Sequence, residues 1–263
     1  MSADNLDGLE QRIRQRENMR NHPLHTAPIA DVKINGNIPN TPLTASLISF
    51  LLGCVFSLGL FLFLVGGISS HWWATYQLGF FLAAWSAFHW GEFAVAAGWN
   101  LEKCSVDSFL LDNGSMYHIA NGSAVVEYLI TLYFKPEFKS HTWISFTGII
   151  MVIVGQALRS IAMIHASTNF SHTVAYQKRA AHRLVTDGVY AWFRHPSYAG
   201  FYYWAVGTQL VLQNPFCFVF FICVLWRFFY YRTRAEESYL VKFFGEDYVN
   251  YRSRVRTWIP FVP

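Results

Sequence analysis

Residues 44–68 contain no charged side chain across 25 positions, and no other feature of the sequence constrains the fold so strongly. Roughly 20 consecutive apolar residues suffice to span the hydrocarbon core of a bilayer. The composition agrees with this, because only 14% of the residues are charged, against about 25% in a typical soluble domain. The membrane is therefore the solvent for most of this chain.

Six apolar segments follow a polar N-terminal region. Approximate bounds for the six are 44–68, 73–97, 119–134, 143–164, 198–212 and 216–231. Backbone groups in lipid must be satisfied within the spanning segment, and the sequence lacks the alternating pattern of a β-barrel, so we expect helices. The last two segments are short, and a turn signal separates them. The predicted fold class is an all-α polytopic membrane protein with about six transmembrane helices, the last two forming a helical hairpin, plus a cytosolic C-terminal helix.

The basic residues predict an orientation. Sixteen Lys and Arg residues fall on one side of the six-span arrangement, and only Lys135 and Lys139 fall on the other. Because cytoplasmic loops carry the excess of Lys and Arg, we expect both termini and residues 165–197 to face the cytosol. Three regions result: a flexible polar tail (1–40), transmembrane helices 1–4 (41–165) and a C-terminal region (166–263) with a cytosolic loop, the hairpin 198–231 and a helical tail.

Polar residues inside the apolar segments are candidates for chemistry. Arg159 lies in the fourth segment, where a charge costs about 2.5–3.5 kcal/mol on insertion scales. It either reaches the cytosolic interface or pairs with a carboxylate or an anionic substrate. His89 and Glu92 share one helical face, which favours a buried hydrogen bond between spans over a metal site. The four cysteines form no CxxC or CxxH pair, so no metal site is predicted.

Two further groups lie at the predicted cytosolic end. Residues 182–200 form a polar loop that leads into the fifth segment, where Pro196 would begin a helix and leave N–H groups free for an anion. Arg232 and Glu236 are four residues apart on one helix, as an ordinary surface ion pair or as part of a site. The sequence has no nucleotide-binding glycine motif, HExxH or GxSxG, which removes the usual support for soluble nucleotide-binding and hydrolase functions. No nucleic-acid partner is predicted.

These groups resemble a known family, the isoprenylcysteine carboxyl methyltransferases. The similarity extends from about residue 80 to the end of the chain, and the length is that of the shorter, fungal-type members. The residues that carry it include Leu184-Val-Thr-Asp-Gly-Val-Tyr-Ala-Trp-Phe-Arg-His-Pro-Ser-Tyr-Ala-Gly200, Gly207-Thr-Gln-Leu, Asn214-Pro215, Arg232, Glu236-Glu237 and Phe243-Phe-Gly-Glu-Asp-Tyr248.

The resemblance implies a multi-pass enzyme of the endoplasmic reticulum membrane. Such an enzyme moves a methyl group from S-adenosylmethionine to the C-terminal carboxylate of a farnesyl- or geranylgeranyl-cysteine and leaves S-adenosylhomocysteine. Its partners would be CaaX-processed proteins or a lipopeptide pheromone precursor. An α-carboxyl group has a pKa near 3.5, so the acceptor is already ionised and needs no general base. The protein must then supply alignment and exclusion of water.

The resemblance also implies roles for single residues. Arg232 would orient the acceptor carboxylate with Arg159 in support, while Glu236 would hold these arginines and line the donor site. Phe201 and Trp204 would contact the prenyl chain, although lipid-facing or core packing explains such aromatic residues equally well. The donor site would comprise His182, Arg183, Leu184, Val185, Tyr190, His195, Pro196, Ser197, Tyr198 and Glu236.

Two other functions stay open on the sequence alone. NADPH-dependent sterol reductases share the Arg-His-Pro-x-Tyr-x-Gly pattern and an acidic pair, but they are longer chains with more spans. A non-catalytic membrane receptor or transporter would spread inward-facing polar residues over several spans, whereas here these residues concentrate at one end. Binding of S-adenosylhomocysteine rather than NADPH distinguishes the first alternative, and methylation of N-acetyl-farnesylcysteine distinguishes the second.

Overall fold

The computed structural model describes residues 36–66, 71–112, 114–174, 176–178 and 182–262, so the predictions for the tail of residues 1–40 lie almost wholly outside the described part. Seven α-helices are described: α1 Pro42–Val65, α2 Tyr76–Trp99, α3 Ser115–Phe134, α4 Thr142–Ala166, α5 Pro196–Leu212, α6 Pro215–Phe244 and α7 Glu246–Arg254. Short 3-10 helices lie at Leu101–Lys103, Val106–Phe109, Pro136–Lys139, Ser167–Asn169 and Gly188–Ala191. Because no described residue lies in a strand, the all-α class is confirmed.

Three of the described helices are long and apolar enough to cross a membrane. They are α1, the helical run Thr142–Asn169 that contains α4, and α6, with 24, 28 and 30 residues. At about 1.5 Å per residue, each exceeds the roughly 30 Å thickness of the hydrocarbon core. The chain is thus built as a membrane protein, while the count of six spans and the terminal hairpin stay predictions.

The helix α6 continues past the end of its apolar stretch. The sixth apolar segment was predicted to end near residue 231 with a polar helical stretch after it, and in the structure the two form one helix, since α6 runs unbroken to Phe244. Arg, Ala, Glu and Lys are strong helix formers, so the change to polar residues alters the solvent around the helix and not its backbone hydrogen bonding. The helix α6 ends at Gly245, whose φ is +57°.

Glycines let α4 and α5 lie in close contact. A Cβ atom added at Gly155 would lie 2.6 Å from the carbonyl oxygen of Gly200, and one at Gly200 would lie 2.7 Å from the backbone nitrogen of Arg159. Small residues of this kind allow helix backbones to approach closely in membranes. As a result, Arg159 on α4 lies directly against the first turn of α5, beside Ser197.

Buried polar side chains hold the junction between α5 and α6. The Lys139 ammonium, whose residue is 4% exposed, donates to three oxygens of residues 212–214 at 3.0, 2.9 and 3.0 Å. The Glu127 carboxylate accepts the N–H groups of residues 216 and 217. The carbonyl end of α5 therefore meets a cation and the amide end of α6 meets an anion, the arrangement that the helix dipoles favour.

Candidate active site

Three groups of charged side chains lie around the end of α5 that begins at Pro196. The Glu92 cluster consists of Glu92, Arg159 and His172. The Arg232 cluster consists of Arg232, Tyr198 and Glu236. The Glu237 cluster consists of Glu237, Arg194, His195 and Arg252.

The Glu92 cluster is a buried ion pair between α2 and α4. Glu92 is 1% exposed and Arg159 is 7% exposed. Arg159 donates through Nε to one carboxylate oxygen and through Nη2 to the other, the latter at 2.8 Å, while its Nη1 donates to the carbonyl oxygen of Ser197 at 3.2 Å. His172 Nε2 lies 2.9 Å from the Glu92 carboxylate. All three nitrogens of the Arg159 guanidinium therefore have partners within the protein.

His89, one turn before Glu92, makes hydrogen bonds to two neighbouring helical elements. Its ring lies 2.7 Å from the carbonyl oxygen of Phe109 through Nδ1 and 2.8 Å from the hydroxyl of Tyr117 through Nε2. The structural role that the sequence favours for His89 agrees with these contacts.

In the Arg232 cluster, a tyrosine stands between the arginine and the carboxylate. The Tyr198 hydroxyl donates to Glu236 and accepts from Arg232 Nε at 2.9 Å. Arg232 Nη2 donates to the carbonyl oxygen of His172. The remaining nitrogen, Nη1, has no hydrogen-bond partner among the described residues. His172 thus links two clusters, because its ring bonds to Glu92 and its backbone bonds to Arg232.

The Glu237 cluster ties the loop before α5 to α6 and to the C-terminus. Arg194 Nε donates to Glu237 at 2.6 Å, and His195 Nε2 lies 3.1 Å from the same oxygen. Arg252 of α7 approaches the second oxygen at 3.5 Å. The cluster fixes the imidazole of His195, which stacks on the Tyr198 ring at 5.3 Å between centroids.

A cavity of about 140 Å³, partly open to solvent, lies between the loop and α6. The structure brings nine of the ten predicted donor-site residues together in the cavity wall. These nine are Arg183, Leu184, Val185, Tyr190, His195, Pro196, Ser197, Tyr198 and Glu236. The tenth, His182, lies outside the wall, with its ring 6.5 Å from that of Phe243.

Two tyrosines of α7 line the same cavity and were missed by the sequence reasoning. Tyr248 and Tyr251 are 1% and 5% exposed. The Tyr251 hydroxyl donates to the carbonyl oxygen of Tyr190 at 2.6 Å. Burial raises the pKa of Tyr190, Tyr248 and Tyr251, so all three are neutral phenols at physiological pH. The sequence did contain a signal that could have identified them, because both tyrosines lie on the aromatic face of the C-terminal helix.

The Asp187-Gly188 turn shapes the cavity wall before Tyr190. Gly188 has φ at +55°, and a Cβ atom there would lie 2.4 Å from the imidazole of His165, so only glycine fits. Asp187 lies 3.2 Å from His165 Nε2. Hydrogen bonding to His165 lowers the pKa of Asp187 from its ordinary value. The turn thereby holds the loop against the end of α4.

The aromatic residues predicted to meet a prenyl chain lie beside the Glu92 cluster. Trp204 is 2% exposed, and its ring centroid lies 4.5 Å from that of Phe88. Phe201 is half-buried, 5.4 Å from Phe88, and the Arg159 guanidinium lies 5.4 Å from the Phe201 ring. In this structure Trp204 belongs to the core, and Phe201 packs against that core beside the Arg159 guanidinium.

Comparisons with known proteins point to a single family. Residues 148–242 match the profile of the isoprenylcysteine carboxyl methyltransferase (ICMT) family. The protein-S-isoprenylcysteine O-methyltransferase of Homo sapiens is 44% identical over 80% of this chain and 72% of its own length. The Schizosaccharomyces pombe enzyme of that name is 40% identical over 87% of this chain and 100% of its own length. A solved structure of a eukaryotic intramembrane Ras methyltransferase, ICMT, has a TM-score of 0.77 at 37% identity and covers 84% of this chain and 82% of its own.

Proposed function

This chain belongs to the isoprenylcysteine carboxyl methyltransferase family and methylates the C-terminal carboxylate of prenylated cysteine, and we propose how its three clusters divide that reaction. The family resemblance predicted from the sequence is confirmed, which argues against the reductase and receptor alternatives.

S-adenosylmethionine is the proposed donor, bound in the cavity beside the Arg232 cluster. The fit rests on the Glu236 carboxylate in the cavity wall and on the aromatic rings around it, since carboxylates and aromatic faces both attract a cation. When bound, this molecule supplies a methyl group activated by a positively charged sulfur. His195, held by Glu237, and the backbone of residues 183–185 would position it, with His182 at the rim.

Arg232 is the proposed acceptor-binding residue. The observation that carries this proposal is that Tyr198 and Glu236 line the cavity, and that Tyr198 accepts a hydrogen bond from Arg232 while it donates one to Glu236. A carboxylate on the uncommitted Nη1 of Arg232 would therefore lie next to the donor. A contact through one nitrogen suits the chemistry, because a full two-nitrogen clamp would weaken the carboxylate as a nucleophile. Alignment of the reacting atoms at about 3–3.5 Å then supplies the main rate gain.

Arg159 would support this site without taking the substrate itself. Its guanidinium is committed to Glu92 and to the carbonyl oxygen of Ser197, in the first turn of α5. It thereby fixes the turn that carries Tyr198.

In the reaction, a bond forms between a carboxylate oxygen and the methyl carbon while the sulfur–carbon bond breaks and its electron pair stays on sulfur. Because no proton moves, no residue acts as an acid or base.

The prenyl chain would remain in apolar surroundings throughout. Burial of each CH₂ group is worth about 0.8 kcal/mol, so a 15-carbon chain has no reason to leave the membrane. Phe201 would line its path next to the Glu92 cluster, and Trp204 would shape that path from behind.

The soluble donor arrives from water, which agrees with a site at the cytosolic surface of the endoplasmic reticulum and with both termini in the cytosol. Pheromone precursors and CaaX proteins are the proposed substrates.

The test is methyl transfer by the purified protein in liposomes, with labelled S-adenosylmethionine and N-acetyl-S-farnesylcysteine. We expect a methyl ester from the prenylated acceptor and none from N-acetylcysteine, which retains the carboxylate but lacks the lipid. Titration calorimetry should detect S-adenosylhomocysteine and not NADPH. Equal methylation of both acceptors, or binding of NADPH alone, would refute the proposal. Comparison with the geranylgeranyl analogue would define the preferred chain length.

A further inference from the structure

After α7 ends at Arg254, the chain turns back along α5 and α6. We call residues 255–262 the C-terminal strap. Arg194 holds its beginning, because its N–H donates to the carbonyl oxygen of Arg256 at 2.9 Å and its Nη1 donates to that of Val255 at 2.6 Å. Ile259 and Val262 are 3% and 7% exposed and pack into the apolar cluster that α5 and α6 share. The strap is thus an integral part of the fold.

One side chain from α5 and one from α6 bond to the strap and show how far it extends along these helices from the level of the cavity. The Tyr203 hydroxyl donates to the carbonyl oxygen of Trp258 at 2.7 Å, and the Trp226 indole donates to that of Phe261 at 3.4 Å. Tyr203 comes seven residues after Pro196, the first residue of α5, which corresponds to about 10 Å along a helix. The strap therefore runs from the level of the cavity to about 10 Å below it.

The outer side of the strap is aromatic. Trp258 is 55% exposed and Phe261 is 89% exposed, beside Trp192 at 74%. The Trp258 indole donates to the carbonyl oxygen of Trp192 at 2.8 Å, which holds the two residues together. Trp258 and Phe261 both have φ at +58°, a left-handed conformation that side chains disfavour. In each case the residue in this conformation is exposed and the residue that follows it is buried, so the aromatic side chains are held outward.

The charged side chains of this region lie at the upper end of the strap, nearest the cavity. Arg252, Arg254 and Arg256 lie exposed at this upper end, and residues 257–262 carry no charged side chain. Tryptophan is enriched at the membrane–water interface, and arginine is attracted to anionic headgroups. Apolar faces that bind at this interface are buried by about 5–10 Å, which matches the descent of the strap.

We propose that the C-terminal strap is a membrane-interface anchor whose partner is the phospholipid bilayer. Trp192, Trp258 and Phe261 lie in the headgroup layer and the adjoining acyl chains, and the arginines above them contact lipid phosphates. Arg194 bonds to both the strap and Glu237, and Glu237 holds His195. The anchor thereby sets the depth of the cavity relative to the bilayer, where a soluble donor and a membrane-bound acceptor have to meet.

A spin label at Phe261→Cys tests the proposal. The full chain would carry Cys54→Ser and Cys223→Ser, since these are its exposed cysteines in the described structure, and would be reconstituted into phosphatidylcholine–phosphatidylserine liposomes. We expect the label to collide more often with oxygen, which concentrates in lipid, than with a water-soluble nickel chelate. Ser253→Cys, on exposed α7 just above the strap, is the matched control and should show the reverse preference.

Two results would overturn the anchor. A label at residue 261 with the same nickel accessibility as residue 253 would mean that the strap faces water. A label protected from both reagents would mean that a protein surface, such as a second copy of the chain, covers it. Binding of S-adenosylhomocysteine reports that each variant is folded. Should Phe261→Cys fail that check, Trp192→Cys gives the same contrast from a position outside the strap.

Discussion

The Glu92 and Arg232 clusters both contain an arginine and a carboxylate, yet their bonding differs. Arg159 uses Nε, Nη1 and Nη2 within the protein, and its partner Glu92 is 1% exposed. Arg232 is half-buried beside the cavity, and its Nη1 is uncommitted among the described residues. A buried charge with every donor satisfied stabilises a fold, whereas an unsatisfied donor beside a cavity is available to an anionic substrate. The difference assigns a structural role to Arg159 and a substrate-binding role to Arg232.

His172 limits how separate the two clusters are. Its ring bonds to Glu92 and its carbonyl oxygen accepts from Arg232. Damage to the Glu92 cluster should therefore lower activity indirectly, through stability and position, while damage to the Arg232 cluster should lower turnover without unfolding the protein. The following variants are chosen to separate these two effects.

The largest effect is expected from Glu92→Ala. It leaves the Arg159 charge buried and unpaired, a change that typically costs about 3–5 kcal/mol. Thermal unfolding in detergent should show the loss directly. The control is the double replacement Glu92→Leu with Arg159→Met, which removes both charges and should recover most of the stability. An unfolding temperature of Glu92→Ala equal to that of the wild type would contradict a structural role for this pair.

Arg232→Ala should lower turnover by about 10²–10³-fold, the usual cost of one donor aimed at the reacting group. Its unfolding temperature and its affinity for S-adenosylhomocysteine should stay close to those of the wild type. Glu236→Ala should also abolish most turnover. Arg234→Ala is the matched control, because this exposed arginine is two residues away and bonds only to the hydroxyl of Tyr230 among the described groups. Wild-type turnover in a folded Arg232→Ala variant would show that Arg232 does not bind the acceptor carboxylate.

Gly200→Ala tests whether the contact between α4 and α5 aligns the Glu92 cluster. The added methyl group would lie 2.7 Å from the backbone nitrogen of Arg159, and overpacking of this kind costs about 1–3 kcal/mol. Gly53→Ala is the control, since no other described segment has an atom within 4 Å of the place its methyl group would take. That variant should be unchanged or up to about 1 kcal/mol more stable. Equal unfolding temperatures for the two variants would argue against close packing at Gly200.

The smallest effect is expected at the exposed Asp187. Because His165 lowers its pKa in the folded state, the interaction stabilises the protein above the unfolded pKa and is lost as pH falls through the folded pKa. The difference in unfolding temperature between wild type and Asp187→Asn should therefore shrink on acidification. Thermal unfolding measured between neutral and strongly acidic pH checks this. A difference that persists unchanged at the acidic end would show that the contact with His165 is not its cause.

Much of the cavity could be predicted from the sequence because it is built from one continuous loop. Residues 183–198 contribute most of the predicted wall, and local motifs reveal such loops. The partners of Glu92 could not be chosen in the same way. Glu92 bonds to Arg159 across 67 positions of sequence and to His172 across 80, and helical periodicity indicates that Glu92 faces inward without indicating what it meets.

Two features of the C-terminal region show a second limit of sequence reasoning. Hydropathy marks where the apolar stretch of α6 ends, but the helix continues to Phe244 because its backbone bonding does not depend on that boundary. The strap has no helical or strand period, so its course is fixed by tertiary contacts, among them the hydrogen bonds from Arg194 and Tyr203. Contacts of this type become visible only in three dimensions.

The most direct test of substrate binding by Arg232 is chemical rescue of Arg232→Ala by guanidinium ion. Methyl transfer to N-acetyl-S-farnesylcysteine would be followed in liposomes at rising, non-denaturing guanidinium concentrations, with Glu92→Ala in parallel. We expect turnover of Arg232→Ala to rise with guanidinium and that of Glu92→Ala to show no such gain. No response of Arg232→Ala to the ion, or an equal gain in both variants, would contradict the assignment of the acceptor carboxylate to Arg232.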